Sequence, residues 1–178
     1  MKFLLTILTV VCSISSVTFA CGPSPQKVTK EVIIQATPDK VWAIVGDFST
    51  MQKWHPSVLA STLEKKKDAE GVVVNYRTLT LLNGGIIVEK QREMQNETMK
   101  IGVVVMQSDM AVSNYSDAIS VKPGLRNGEA VVTWVGRFNN KANAMQAPEG
   151  QDNATAITAI EAWYDLGLAN LKKVVEEQ

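Results

Sequence analysis

The sequence predicts an α+β fold in which one curved antiparallel sheet, about six to seven strands, wraps around a long C-terminal helix, with two short helices after the first strand. Three observations predict it. From Asp152 to Glu177 apolar residues recur at helical spacing. The middle of the chain is a series of strand-like runs joined by turn residues. The helical signals never alternate with the strands, which separates this arrangement from a doubly wound nucleotide fold.

The order runs as follows. Gly22 to Gln26, with Pro23 and Pro25, reads as a tether. Lys27–Gln35 is a first strand with Val28, Val32 and Ile34 apolar. In ATPDKVWAIVGDF, Thr37 is the N-cap and Pro38 fits the first helical position, where its missing N–H is not needed. Val41, Ile44, Val45 and Phe48 share a face there, with Trp42 beside it. Ser49–Pro56 reads as a second short helix stopped by Pro56.

From Ser57 the signal becomes β. Ser57–Leu63 is followed by a solvated turn around Lys65-Lys66-Lys67, then by Gly71–Leu82. Asn83-Gly84-Gly85 is a hairpin turn, since Asn and Gly tolerate positive φ. Ile86–Glu93, Met99–Gln107 and Ser113–Val121 come next; Pro123–Gly128 turns the chain into Glu129–Phe138. Asp152 or Asn153 caps the last helix, whose apolar positions are Ile157, Ile160, Trp163/Tyr164, Gly167/Leu168, Leu171 and Val174/Val175. At 1.5 Å per residue it is about 35 Å long and needs a partner surface of that length.

Several function classes are disfavoured by composition. Lys and Arg number 18 against 18 Asp and Glu, a balance that argues against non-specific nucleic-acid binding. The single histidine and the absence of a Cys–His cluster argue against a metal site. Gly84-Gly85 belongs to no GxGxxG or GKS/T pattern, and no GxSxG is present, so no cofactor is expected. Met1–Ala20 has a charged start, an apolar stretch and a small residue before a cut, which reads as a secretory signal. Cutting after Ala20 places Cys21 at the N-terminus, with two readings open: an acylated, lipid-anchored cysteine or a soluble exported protein.

Three segments carry a resemblance to a known group: VWAIVGDFSTMQKWHP at 41–56, SNYSDAISV at 113–121 and VTWVGRF at 132–138. Together with the element order they resemble the START-like (SRPBCC) superfamily of helix-grip folds, over 27–178. The polyketide cyclase/dehydrase-type domains belong to it, and the closest likeness is to its exported MxaD-like branch. The resemblance implies an apolar cavity between sheet and helix, entered under loops at one end. It also implies a small apolar or amphipathic ligand, and a periplasmic or secreted location. For the MxaD-like branch it implies help to a periplasmic oxidoreductase of methanol oxidation.

His55 is the side chain with a pKa near neutrality, so a conventional general base would start there. Trp54-His55-Pro56 equally suits a structural role, with Trp buried and ring nitrogens bonded to backbone. Side chains two apart share a strand face, which groups Tyr115, Asp117, Ile119 and Val121, and separately Val132, Trp134, Gly136 and Phe138. If both faces point inward, Tyr115, Asp117 and Trp134 supply polar handles in an apolar pocket. Arg77 and Glu89 flank the Asn83 turn, and their parity leaves open whether they meet in the cavity mouth or outside. The expected ligand-binding set is therefore Trp54, His55, Glu89, Tyr115, Asp117 and Trp134. The expected function is non-catalytic ligand binding; the alternative is a cyclase/dehydrase-type enzyme using His55 or Tyr115, and a third class is an accessory protein with a collapsed cavity.

Overall fold

The computed structural model describes residues 22–177, so the segment read as a signal and Cys21 lie outside the described residues. Strand β1 (Gln26–Ile34) is followed by helix α1 (Pro38–Val45). Thr37 caps α1 by accepting from the Lys40 N–H, and Val41 and Val45 are its buried face. The chain then makes a single 3-10 turn, Met51–Lys53, in place of the expected second helix. Trp54 and His55 both donate their N–H to the Met51 carbonyl, and Pro56 has no N–H with which to extend the turn.

Strands β2 (Val58–Lys67), β3 (Val73–Leu81), β4 (Ile86–Gln95), β5 (Lys100–Ser108), β6 (Val112–Pro123) and β7 (Ala130–Asn140) then lead to helix α2 (Asn153–Glu176). They form one seven-stranded sheet in the order β1-β7-β6-β5-β4-β3-β2, antiparallel throughout. Lys65–Lys67 continue strand β2 and do not form the expected turn. The turn comes later, where Asp68 Oδ1 accepts from the N–H groups of Glu70 and Val72. Since β2 is an edge, those lysines discourage pairing with a further strand.

Alternation along β6 and β7 sets the inner face. Tyr115, Asp117, Ile119 and Val121 are buried, as are Val132, Trp134, Gly136 and Phe138. Val112 is also buried, although it lies an odd three positions before Tyr115. A bulge between Ser113 and Ser116 absorbs the odd residue, with Asn114 at φ 47°, a left-handed conformation that Asn tolerates.

Helix α2 packs on β1 and β7, and α1 on β6 and β7. Asp152 caps α2 through the Thr155 N–H at 2.8 Å. The α2 residues turned to the sheet are Ala156, Ile160, Tyr164, Gly167, Leu168, Leu171 and Val175. Each large aliphatic side chain among them contributes about 1.5–3 kcal/mol by leaving water. Polar ties fix the helix ends. Lys172 Nζ donates to the Ile33 carbonyl at 2.6 Å, and Asn140 Nδ2 donates to Asn153 Oδ1 at 2.9 Å.

Candidate functional site

Strands β3 and β4 bring Arg77 and Glu89 opposite each other on the inner face. Both are buried, at 8% and 4% exposure. Arg77 Nε donates to Glu89 Oε2, Nη1 donates to the Phe48 carbonyl at 3.0 Å, and the guanidinium lies over the Phe48 ring at 4.3 Å. A buried ion pair costs both charges their hydration, and an apolar pair of the same volume often stabilises a fold as well or better. The pair is therefore weak evidence of a stability role.

Asp117 on β6 shares this interior. Burial pushes its carboxyl up to about 7, the negative charge of Glu89 adds to the shift, and Tyr115, Trp134 and Arg77 pull the other way. The indole Nε1–H of Trp134 is buried beside Asp117, near enough to favour its carboxylate, yet it completes no well-formed hydrogen bond among the described residues. Val45, Trp54, Arg77, Ile101, Val103, Asp117, Ile119 and Trp134 surround a cavity of about 10 Å³. That is near the lower limit for one water molecule. The hollow implied by the resemblance is thus nearly filled in this conformation.

Rings fill it. Trp134 stacks on Tyr164 with centroids 4.3 Å apart, and Trp54 meets Trp134 edge-on at 5.7 Å. The hydroxyls of Tyr115 and Tyr164 are 3.0 Å apart, and burial raises both phenols above their ordinary range. Two glycines make the room. A Cβ at Gly136 would lie 2.1 Å from the Tyr164 hydroxyl, and one at Gly167 would lie 2.6 Å from His55 Cδ2.

His55 is fully buried. Its Nε2–H donates to the Trp163 carbonyl at 3.1 Å, and Nδ1 accepts from the Ser57 N–H at 3.3 Å. These two bonds select one neutral tautomer and leave no lone pair for a substrate. Burial lowers the imidazole to about 4; the Trp163 carbonyl opposes that shift and the Arg77 charge reinforces it. His55 also stacks on Trp163 at 3.7 Å. It is a wall between the inner cavity and the surface.

On the outer side of that wall, Ser57, Leu81, Leu82, Asn83, Met110 and Trp163 line a surface hollow of about 280 Å³. Leu82 is 66% exposed at its rim. The β3–β4 and β5–β6 turns meet beside it, where Ile86 N–H donates to Asp109 Oδ2 at 3.0 Å.

Of the six residues expected to bind ligand, Trp54, Asp117 and Trp134 meet at the inner cavity, with Arg77 carrying Glu89 to the same place. Tyr115 joins them through Tyr164, and His55 stands apart behind Trp134. Sequence reasoning missed Tyr164, Trp163 and the two glycines as parts of this site. Tyr164 lay in plain view on the helical stripe, but nothing in a stripe tells which of its members carries a hydroxyl to a strand. Among the described residues, no group of three or more His, Cys, Asp or Glu side chains is placed to hold a metal ion.

Comparison with known proteins bears on both fold and site. The family described as "Polyketide cyclase / dehydrase and lipid transport" matches residues 25–176. No curated protein matches. Among solved structures, XoxI from Bacillus cereus is similar at 23% identity with a TM-score of 0.67, covering 84% of this chain and 94% of that one. An uncharacterised protein from Bacillus thuringiensis is similar at 22% identity and a TM-score of 0.68, covering 84% and 98%. A START superfamily protein from Mycobacterium smegmatis gives 16% identity and a TM-score of 0.65, covering 85% and 97%. At these identities the structural likeness speaks for the fold alone, which is START-like.

Proposed function

Because the chain belongs to the polyketide cyclase/dehydrase and lipid transport family, whose fold is that of a ligand-binding domain, we propose that it binds a small amphipathic molecule between sheet and helix α2 without transforming it. One observation carries this reading: the buried Trp134 N–H completes no well-formed hydrogen bond, although Asp117 lies beside it, and it joins Asp117, Arg77, Glu89 and Tyr115 in a polar cluster within a core that is otherwise apolar. Buried polar groups without partners are costly, so a ligand offering an acceptor to the indole and a polar end to Arg77 and Asp117 would offset that cost. Catalysis by His55 lacks a free nitrogen, and the Tyr115 hydroxyl is already bonded to Tyr164.

Native mass spectrometry of the protein purified from its own source tests this. A co-purifying small molecule, lost in Trp134→Phe with the fold retained, is the expected result. Protein that is free of ligand both from its source and after incubation with fatty acids and aromatic polyketides would overturn it.

A second reading rests on the filled interior: an accessory protein that works through its surface. The MxaD-like resemblance supports it, and with it export by the Met1–Ala20 signal, a periplasmic oxidoreductase as partner, and either a soluble or a Cys21-acylated mature form. Cell fractionation, the mass of the mature N-terminus and pull-down of an oxidoreductase test these three points in turn.

A further inference from the structure

Among the described residues no helix covers the outer face of the sheet, and the charge there is one-sided. Alternation places Lys27, Lys90, Lys100, Lys122 and Arg137 on that face of β1 and β4–β7, against Glu31 and Glu93, and Arg92, the residue skipped at the β4 register shift, borders it as well. The whole chain is balanced at 18 basic and 18 acidic residues, so this excess is a segregation of charge and not a general basicity.

The cations border a furrow of about 280 Å³. Its floor is made of Ser116, Asp117, Ala118 and Ser120 with Val135, and the Asp117 side chain is buried on the other face of the strand. Gly102 pairs with Ala118 beside this floor, and a Cβ there would lie 2.7 Å from Glu93 Oε1. One wall holds Arg92 and Lys100, and the other holds Arg137. The strands that bear Lys100 and Arg137 are two strand spacings apart, about 10 Å, which leaves room for one extended chain.

Glu93 shows what this furrow accepts. Its carboxylate folds down over Gly102 and takes Lys100 at 3.0 Å and Arg92 at 3.3 Å. Both cations hold the Glu93 carboxyl below the usual carboxylate range, Lys100 more than Arg92. Arg137, across the floor, is exposed and has no ion-pair partner among the described residues.

We propose that this furrow docks an extended, carboxylate-rich segment of a protein partner, whose acidic side chains reach Arg137 and displace Glu93 from Lys100 and Arg92. An anionic bilayer fits less well. The floor is recessed between charged walls, and none of the residues that line the furrow is a large exposed apolar side chain that could insert into lipid. The furrow lies on the face of the sheet opposite to the cavity, and the proposal does not depend on ligand binding there.

The test is fluorescence anisotropy of a labelled peptide of alternating Glu and Ser titrated with the full mature chain. The matched Gln–Ser peptide and phosphatidylglycerol vesicles serve as comparisons. The expected result is binding of the Glu peptide alone, weakened by salt. Arg137→Gln with Lys100→Gln lowers affinity about tenfold, while Glu93→Gln raises it severalfold by freeing the cations. Lys66→Gln on the distant edge strand leaves affinity unchanged. The proposal is overturned if the Glu peptide does not bind, if Lys66→Gln weakens it as much as the furrow variants do, or if vesicles bind and the peptide does not.

Discussion

Two polar groups sit a few residues' width apart in the same interior and live under opposite conditions. His55 has both ring nitrogens bonded to backbone, a stacked neighbour in Trp163, and a glycine facing it where no larger residue fits. Asp117 borders a small void together with an indole N–H that lies beside it but completes no well-formed hydrogen bond. The first arrangement is closed: every polar atom is spoken for, so the residue holds the fold together. The second is open, and open polar groups in a dry interior are where a ligand finds something to do. Satisfaction of hydrogen bonds, more than residue type, separates the two roles.

The contrast can be broken most severely at Arg77. Arg77→Met leaves Glu89 buried without its counter-charge and lowers stability by about 3–5 kcal/mol, read by denaturant unfolding. Arg77→Met with Glu89→Leu recovers most of that loss. If the double variant is as unstable as the single one, the pair is structural and the open side of the comparison loses its main charge.

Acid dependence sharpens it next. The His55 imidazole falls from 6.5 to about 4 on folding, so the unfolded chain binds more protons there between those values and stability rises with pH across that window. The Asp117 carboxyl rises from 3.8 to about 7, so the native state binds more protons and stability falls as pH rises through nearly the same window. The two slopes oppose each other in the wild type. Asp117→Asn removes the falling one, and its stability gains a few kcal/mol between pH 4 and 6.5 relative to the wild-type profile. Parallel profiles for the two proteins would show that Asp117 is not protonated in the native state.

Packing gives the smaller effects. Gly167→Ala drives a methyl into His55 and Trp134, and destabilises by about 1–3 kcal/mol even though Ala favours a helix. Val103→Ile adds one carbon beside the inner void, where there is room, and changes thermal stability by less than about 1 kcal/mol in either direction. Equal costs for the two would mean that both sides of the interior are equally tight.

The fold was legible because its signals are periodic. The α2 stripe and the alternation through Tyr115–Val121 and Val132–Phe138 settle the layers and the inner faces without knowledge of any contact. Arg77 and Glu89 resisted because parity fails across irregular strands. Strand β4 shifts register between Val88 and Glu89 and again between Gln91 and Glu93, and no local pattern announces either shift. The filled interior resisted for another reason. It depends on Gly136 receiving a phenol from α2 and Gly167 receiving an imidazole from the WHP segment, matches between positions far apart in the chain. Lys65–Lys67 were misplaced because charge suggested a turn, whereas an edge strand tolerates charge on both faces.

Asn114 has a wider reach than its exposed position suggests. It is the extra residue that lets Val112 and Tyr115 both face inward, and so it sets the phase of everything that follows on β6. Losing a single codon there would force the strand either to strand Val112 in water or to turn the Asp117 carboxylate out to solvent and Ser116 and Ala118 inward. Whether this protein keeps an acid in its interior is therefore a matter of phase along one strand, settled by an exposed residue three positions before the acid.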